Sequence, residues 1–412
     1  MMMRLAALAL LAPAAALAAP CAGPLCNFDT LAPYFARLDG AREARGTKPV
    51  HIVQIGDSHT ASDAITGAWR DLLQARAGDG GRGVMPPGRP YDFYVTHGIT
   101  VSMSAGWRVA AAFGHGSAEP RPPLGLAGYA LSSTMAGATM GLTTDPGRTF
   151  DRFVLCAIAQ PGAGQLIVRM GDGSERRLVL EAPSPTPRCE TVRTAGPQST
   201  VTLIASDAPV TLVSWATFRD DGGVALSNLG VVGAQLAHFG RTDDALLAEE
   251  LRAYTPDLIV LAFGTNEGFA PHFDSTAYEA ILRGQIERLR TLAPGVPLLL
   301  LGPPDALSRD PALRGNAVGA PVDCPDTHGA PPLYAPPALA LVRAIQRRIA
   351  ADLDIAWWDW QQRMGGICSA ARWTAAVPPL MRPDHVHFRS AGAAIVARLL
   401  QDDLDRAAAQ GR

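Results

Sequence analysis

The sequence predicts an α/β fold: a parallel sheet covered by helices on both faces and interrupted by a β-rich insertion. Three observations carry this reading. Apolar runs of strand length alternate with segments of helical period in the first hundred residues and again after residue 223. Between residues 96 and 223 the alternation stops, and short β-rich segments are separated by Gly, Pro, Asp and Ser. The chain has 412 residues, of which 48% are apolar, so a sizeable core forms without staples. A net charge of −2 gives no reason to expect nucleic acid or an anionic membrane as a partner.

At the N-terminus, Arg4 precedes an Ala/Leu run, and Ala16-Leu17-Ala18 fits a small-residue cleavage site. Residues 1–18 therefore read as an export signal. The run is short for a membrane span and Pro13 interrupts it, so no transmembrane anchor is expected. Pro20 before Cys21 is a poor fit to a lipid-attachment site. Six cysteines in an exported chain favour disulfides, and sequence locality pairs Cys21–Cys26, Cys156–Cys189 and Cys324–Cys368.

The elements follow in order. Phe28 to Glu43 reads as a helix, Lys48 to Ile55 as the first strand and Ala61 to Ala75 as an amphipathic helix. The Gly78–Gly83 run follows a helix and lacks a phosphate-loop lysine, so it reads as an ordinary loop. In the insertion, Phe153–Ala159, Gln165–Met170, Arg177–Glu181, Val201–Ala205 and Pro209–Ala216 read as strands, and their near-regular spacing predicts a β-sandwich. Alternation resumes with strands at Val224–Val232, Asp257–Phe263, Val296–Gly302 and Asp354–Trp360. Helices at Ala234–Ala253, Thr276–Leu292, Pro336–Asp352 and Ser390–Ala409 separate or follow them. The expected hydrolytic domain thus runs over 27–95 and 224–412, with the sandwich at 96–223 between its halves.

Four segments carry chemistry. In an open parallel sheet, active groups gather at the carboxyl ends of the strands. Ser58 ends the first strand in Gly56-Asp57-Ser58-His59, beside the positive pole of the next helix. Alone, it reads as a helix cap. Gly233 follows the second strand and Asn266 the third, within Gly264-Thr265-Asn266-Glu267. The N–H groups of Ser58 and Gly233 and the Asn266 amide together form a three-donor candidate for an oxyanion hole. Near the C-terminus, Asp384 and His387 stand three apart in Asp384-His385-Val386-His387. On a helical turn that spacing places both on one face, so the carboxylate fixes the imidazole while its other nitrogen faces Ser58. A metal at His385 and His387 is the rival reading, and no further cluster of ligands supports it. Trp107, Trp215 and Trp373 are candidates to stack on sugar faces, with ordinary packing the alternative for each.

These four blocks, in this order, resemble the SGNH (GDSL-like) hydrolase family. The resemblance implies a three-layer α/β/α fold, Ser58 as nucleophile, His387 as base and Asp384 as its orienting carboxylate. Gly233 and Asn266 would complete the oxyanion hole. Glu267 departs from the aspartate common in the family. Gly-Asp-Ser-His, Gly-Thr-Asn-Glu, the inserted β-domain and the tract Trp357–Gly366 are similar to periplasmic peptidoglycan O-acetylesterases. The resemblance therefore implies a periplasmic or secreted serine esterase that takes acetyl groups from a polysaccharide, with Trp107 as a candidate sugar contact and no metal or cofactor. A monomer is expected. Alternatives on the same residues are a lipid or aryl esterase, an acetyltransferase, and an inactive polysaccharide-binding protein.

Overall fold

A computed structural model of the chain describes residues 21–43, 48–314, 320–325 and 332–411. The expected export signal at 1–18 lies outside them. The main sheet has seven strands in the order Cys21–Ala22, Leu25–Cys26, Ala356–Trp358, Leu298–Leu301, Leu258–Ala262, Val50–Gly56 and Val224–Gly230. The last five are mutually parallel, and the N-terminal hairpin adds antiparallel to Ala356–Trp358. Val50–Gly56 comes first in the chain yet lies between the second and third parallel strands. The connection from it leads to the strand on one side, while that from its other neighbour, Leu258–Ala262, leads away in the opposite direction, and such a switch point opens a crevice at the carboxyl ends.

Both faces of this sheet are covered. Val50 and Ile52 join one core with Tyr34, Trp69, Leu73, Val396 and Leu400 from the helices Ala32–Arg42, Ala64–Ala77 and Ser390–Gln410. Val53 and Ile55, on the opposite face, join another with Leu251, Leu282 and Ile345 from the helices Asp244–Tyr254, Ser275–Leu292 and Pro337–Asp352. Strand residues alternate between faces with period two, so one apolar run supplies both cores. The strands are shorter than their apolar runs, and two expected helices are divided. One starts at Ser58, pauses at Ser62-Asp63 and resumes at Ala64; the other divides into Leu236–Phe239 and Asp244–Tyr254. Asp63 and Asp243, which precede the resumed helices, hydrogen-bond their first turns through Thr66 Oγ1 and the Leu246 N–H.

The β-rich stretch forms two antiparallel sheets. One has five strands, at 99–103, 139–144, 165–170, 175–179 and 200–207. The other holds Trp107–Ala111, Tyr129–Ser133, Phe150–Ala159, Thr186–Gln198 and Val210–Phe218, with Gly83–Met85 pairing onto the last. A third core containing Phe153, Leu155, Leu166, Leu203 and Trp215 fills the space between them. The opposite side of the six-stranded sheet, with Val154, Cys156 and Val213, belongs to the same core as Leu251 and Ile259 of the α/β layer. The three disulfides join Cys21–Cys26, Cys156–Cys189 and Cys324–Cys368, as locality suggested. No helix among the described residues is long and apolar enough to cross a membrane.

Candidate active site

The switch-point crevice is where the four sequence blocks converge. Gly56 ends the strand Val50–Gly56 beside Ala262, and a Cβ there would stand 2.6 Å from the Ala262 carbonyl oxygen. Gly230, on the other neighbour, lets the Ser58 turn pack closely, since its Cβ would meet the Ala61 nitrogen at 2.1 Å. Asp57 is buried and accepts the His59 N–H at 2.9 Å, which closes the turn that presents Ser58.

Ser58 Oγ lies 2.9 Å from His387 Nε2, and His387 Nδ1 lies 2.9 Å from Asp384 Oδ2. The Asp384–His387 segment is a turn and not the helical turn expected. Asp384 Oδ1 accepts the N–H groups of Val386 and His387, both at 2.9 Å, so the carboxylate builds the turn and holds the ring with its two oxygens. Burial works against charge on Asp384. The hydrogen bonds from the His387 ring and the two N–H groups outweigh it and keep the carboxyl well below its usual range.

The two flanking loops are tied to this centre. Val231 N–H donates to the Gly56 carbonyl at 3.0 Å. Gly233 sits at φ +75 in the turn before the helix Leu236–Phe239, not within it. Its N–H has no hydrogen-bond partner among the described residues. Asn266 Nδ2 donates to the Ala234 carbonyl at 2.9 Å, and its second hydrogen has only Asp57 Oδ2 at 3.5 Å, the weak limit of such a bond. Glu267 is buried and accepts the Leu236 N–H at 2.7 Å, locking the Gly233 loop to the Asn266 loop. Burial, with Asp57 nearby, pushes its carboxyl up to about 7 against the pull of that N–H.

A cleft of about 1080 Å³ opens over Ser58 and His387. Its walls come largely from the β-rich stretch and its approaches: Tyr91, Phe93, Phe113, Tyr129, Arg89 and, from the histidine loop, Arg382. Phe93 is 92% exposed, so it is a free aromatic surface at the rim. Phe113 stacks on His238 at 4.3 Å and crowds Gly233, where a Cβ would meet its ring at 2.9 Å. Trp107 is not among the cleft's walls; it packs on the core between the two β sheets and donates to the Thr139 carbonyl at 3.1 Å. Trp215 is fully buried, and Trp373 packs edge-on against Phe388. Sequence reasoning missed the wall residues because all but Tyr129, which opens a short strand, lie in loops without period. His59 was visible inside its block, but its role was not.

Comparison with known proteins agrees with this geometry. Residues 194–395 match the GDSL-like Lipase/Acylhydrolase family. That match takes in Gly233, Asn266, Asp384 and His387 but not Ser58, which the fold brings to them. A solved peptidoglycan O-acetylesterase is similar at 24% identity and a TM-score of 0.74, over 94% of this chain and all (100%) of that one. This likeness is one of fold, and it includes the β-rich stretch. A family two carbohydrate esterase from Cellvibrio japonicus overlaps at 14% identity, over 74% of this chain and 99% of that one, with a TM-score of 0.27. No curated protein matches the chain in sequence.

Proposed function

For a chain that carries a GDSL-like lipase/acylhydrolase domain, we propose a serine esterase that removes O-acetyl groups from a cell-wall polysaccharide, most of all peptidoglycan. The observation that carries this reading is the unbroken relay from Ser58 Oγ through the His387 ring to Asp384. Ser58 attacks the acetyl carbonyl while His387 Nε2 takes its proton, and Asp384 holds the Nδ1–H and steadies the imidazolium. The oxyanion forms against the N–H groups of Ser58 and Gly233 and the loosely held hydrogen of the Asn266 amide. Collapse breaks the bond to the sugar oxygen, which leaves with the proton from His387. Water, activated by the same ring, then resolves the acetyl-serine to acetate and free enzyme.

The polymer assignment draws on the cleft. It is far larger than an acetyl group, and in our reading the β sheets form a sandwich, inserted in the hydrolase, that holds glycan across it. Arg89 and Arg382 on its walls make no ion pair with a described residue. They suit the carboxylates that peptidoglycan carries on its peptide stems and neutral xylan lacks. Three disulfides accord with a periplasmic or secreted protein. The test is acetate release from O-acetylated peptidoglycan against acetylated xylan at equal ester concentration. The reading predicts a clear preference for peptidoglycan; equal rates, or a preference for xylan, overturn the substrate assignment.

A further inference from the structure

His59 follows the proposed nucleophile, yet the mechanism above does not use it. Its ring is buried beneath the cleft, 5% exposed for the residue as a whole. Nδ1 lies 3.2 Å from Asp57 Oδ1, and Nε2 lies 3.0 Å from the Val386 carbonyl oxygen. A carbonyl oxygen carries no proton, and Asp57 Oδ1 already accepts the His59 N–H. Both ring nitrogens therefore meet acceptors, and both contacts are satisfied together only when both nitrogens carry hydrogen.

The surroundings fit a ring held in that form. Trp360 and Phe388 close on it edge-first, with centroids at 5.6 and 5.7 Å, and the His387 ring stacks on it at 5.5 Å and 30°. The titratable groups facing it are Asp57 on its own turn and Asp384 and His387 on the histidine loop. Burial alone would drive the ring neutral. The charge and hydrogen bond of Asp57, the Val386 carbonyl and the charge of Asp384 outweigh it and raise its proton affinity above the ordinary histidine value.

We propose that His59 is a positioning residue, a buried imidazolium that fastens the Val386 carbonyl to the Asp57 turn and so holds His387 in place over Ser58. The effect is geometric: the anchored carbonyl belongs to the residue immediately before His387, so the bond sets the height of the base over Ser58.

The inference rests on His387 being the general base, and its test works without turnover. In ¹⁵N-histidine-labelled Ser58→Ala protein, both His59 nitrogens should give imidazolium shifts at pH 7. In the active background, His59→Gln keeps a donor for Val386 and should hold kcat within about threefold, whereas His59→Ala should lose roughly tenfold in kcat with little change in KM. A neutral His59 at pH 7, or a His59→Ala variant with the wild-type kcat, overturns the proposal. If His59→Ala does not fold, the glutamine variant and the labelled protein still decide. If Ser58→Ala retained activity, the esterase mechanism would fail, while the nitrogen shifts would still report the charge of His59.

Discussion

Of the two antiparallel sheets, the six-stranded one is buried on both faces along its central strands and the five-stranded one mainly on a single face. Phe150–Ala159 and Val210–Phe218 hide nearly every residue, whereas Gln165–Met170 and Thr200–Asp207 alternate between hidden and open positions. The difference comes from what lies behind each. The inner sheet rests on the helix Asp244–Tyr254 and shares its core, and residues beside it, such as Phe113 and Tyr129, become walls of the cleft. The outer sheet has solvent at its back. The β-rich stretch is thus not a module hung on a finished domain: its inner half closes one face of the α/β layer. In our reading the α/β layer supplies the reaction, the inner sheet shapes the space above it, and the outer sheet is the part free to vary.

The sharpest way to break that division is at the reaction itself. Ser58→Ala and His387→Ala should each cost roughly 10³-fold or more in kcat on a nitrophenyl acetate and on acetylated polymer alike. Retention of most activity by either would place the chemistry elsewhere. Asn266→Ala comes next, with an expected loss of about 10²–10³ in kcat and little change in KM, because the amide meets charge that develops only in the transition state. A change confined to KM would move Asn266 from the reaction to binding.

The seam between the layers has its own test. Glu250, on the helix behind the inner sheet, is fully buried; it accepts the Leu126 N–H and a hydrogen bond from Ser214, which also contacts the Tyr254 hydroxyl. Burial pushes its carboxyl up to about 7, against hydrogen bonds from Ser214 and Leu126 that pull it down. Between the ordinary carboxylate value of 4.5 and about 7, the folded chain keeps a proton that the unfolded chain has released. Stability contributed here is greatest below that ordinary value and is lost as pH rises, by up to ~3 kcal/mol once Glu250 ionises. Glu250→Gln should melt like the wild type near pH 5 and above it near pH 8. Identical melting curves at both pH values would show that the seam does not titrate. The smallest effect belongs to the cleft walls. Arg89→Ala/Arg382→Ala should lose about tenfold in kcat/KM on O-acetylated peptidoglycan, roughly 1.4 kcal/mol, and leave nitrophenyl acetate hydrolysis within about twofold. Equal losses on both substrates would return the arginines to the reaction.

The same contrast decides what was legible in the sequence. Gln165–Met170 is read to the residue because one side faces solvent and leaves a period-two pattern. Thr186–Gln198 escaped, since it is an exposed edge strand with two prolines that borrows its pairing from Phe150–Ala159. Ile99–Met103 and Trp107–Ala111 were also missed, being short and made by partners far along the chain. Three site blocks stood out because each follows a strong apolar strand, and the fourth by its Asp-x-x-His spacing; the fold brings Ser58, His387 and Asp384 within hydrogen-bonding distance. Arg89, Phe93 and Phe113 carry no such signal. They are loop or rim residues whose place depends on how the inner sheet docks.

The serine and histidine of the site are 329 residues apart in the chain. The strand beneath Ser58 is flanked on both sides by strands that are synthesised long after it, and the histidine loop comes just before the final helix. As the chain emerges from its N-terminus, Ser58 is an ordinary alcohol without a base until almost the whole molecule exists. A fragment that ends before Asp384 has every residue of the strand-end turn and no relay to switch it on. In our reading, distance along the chain thus acts as a timer: the relay is completed last, after nearly all of the residues that wall the cleft have been made.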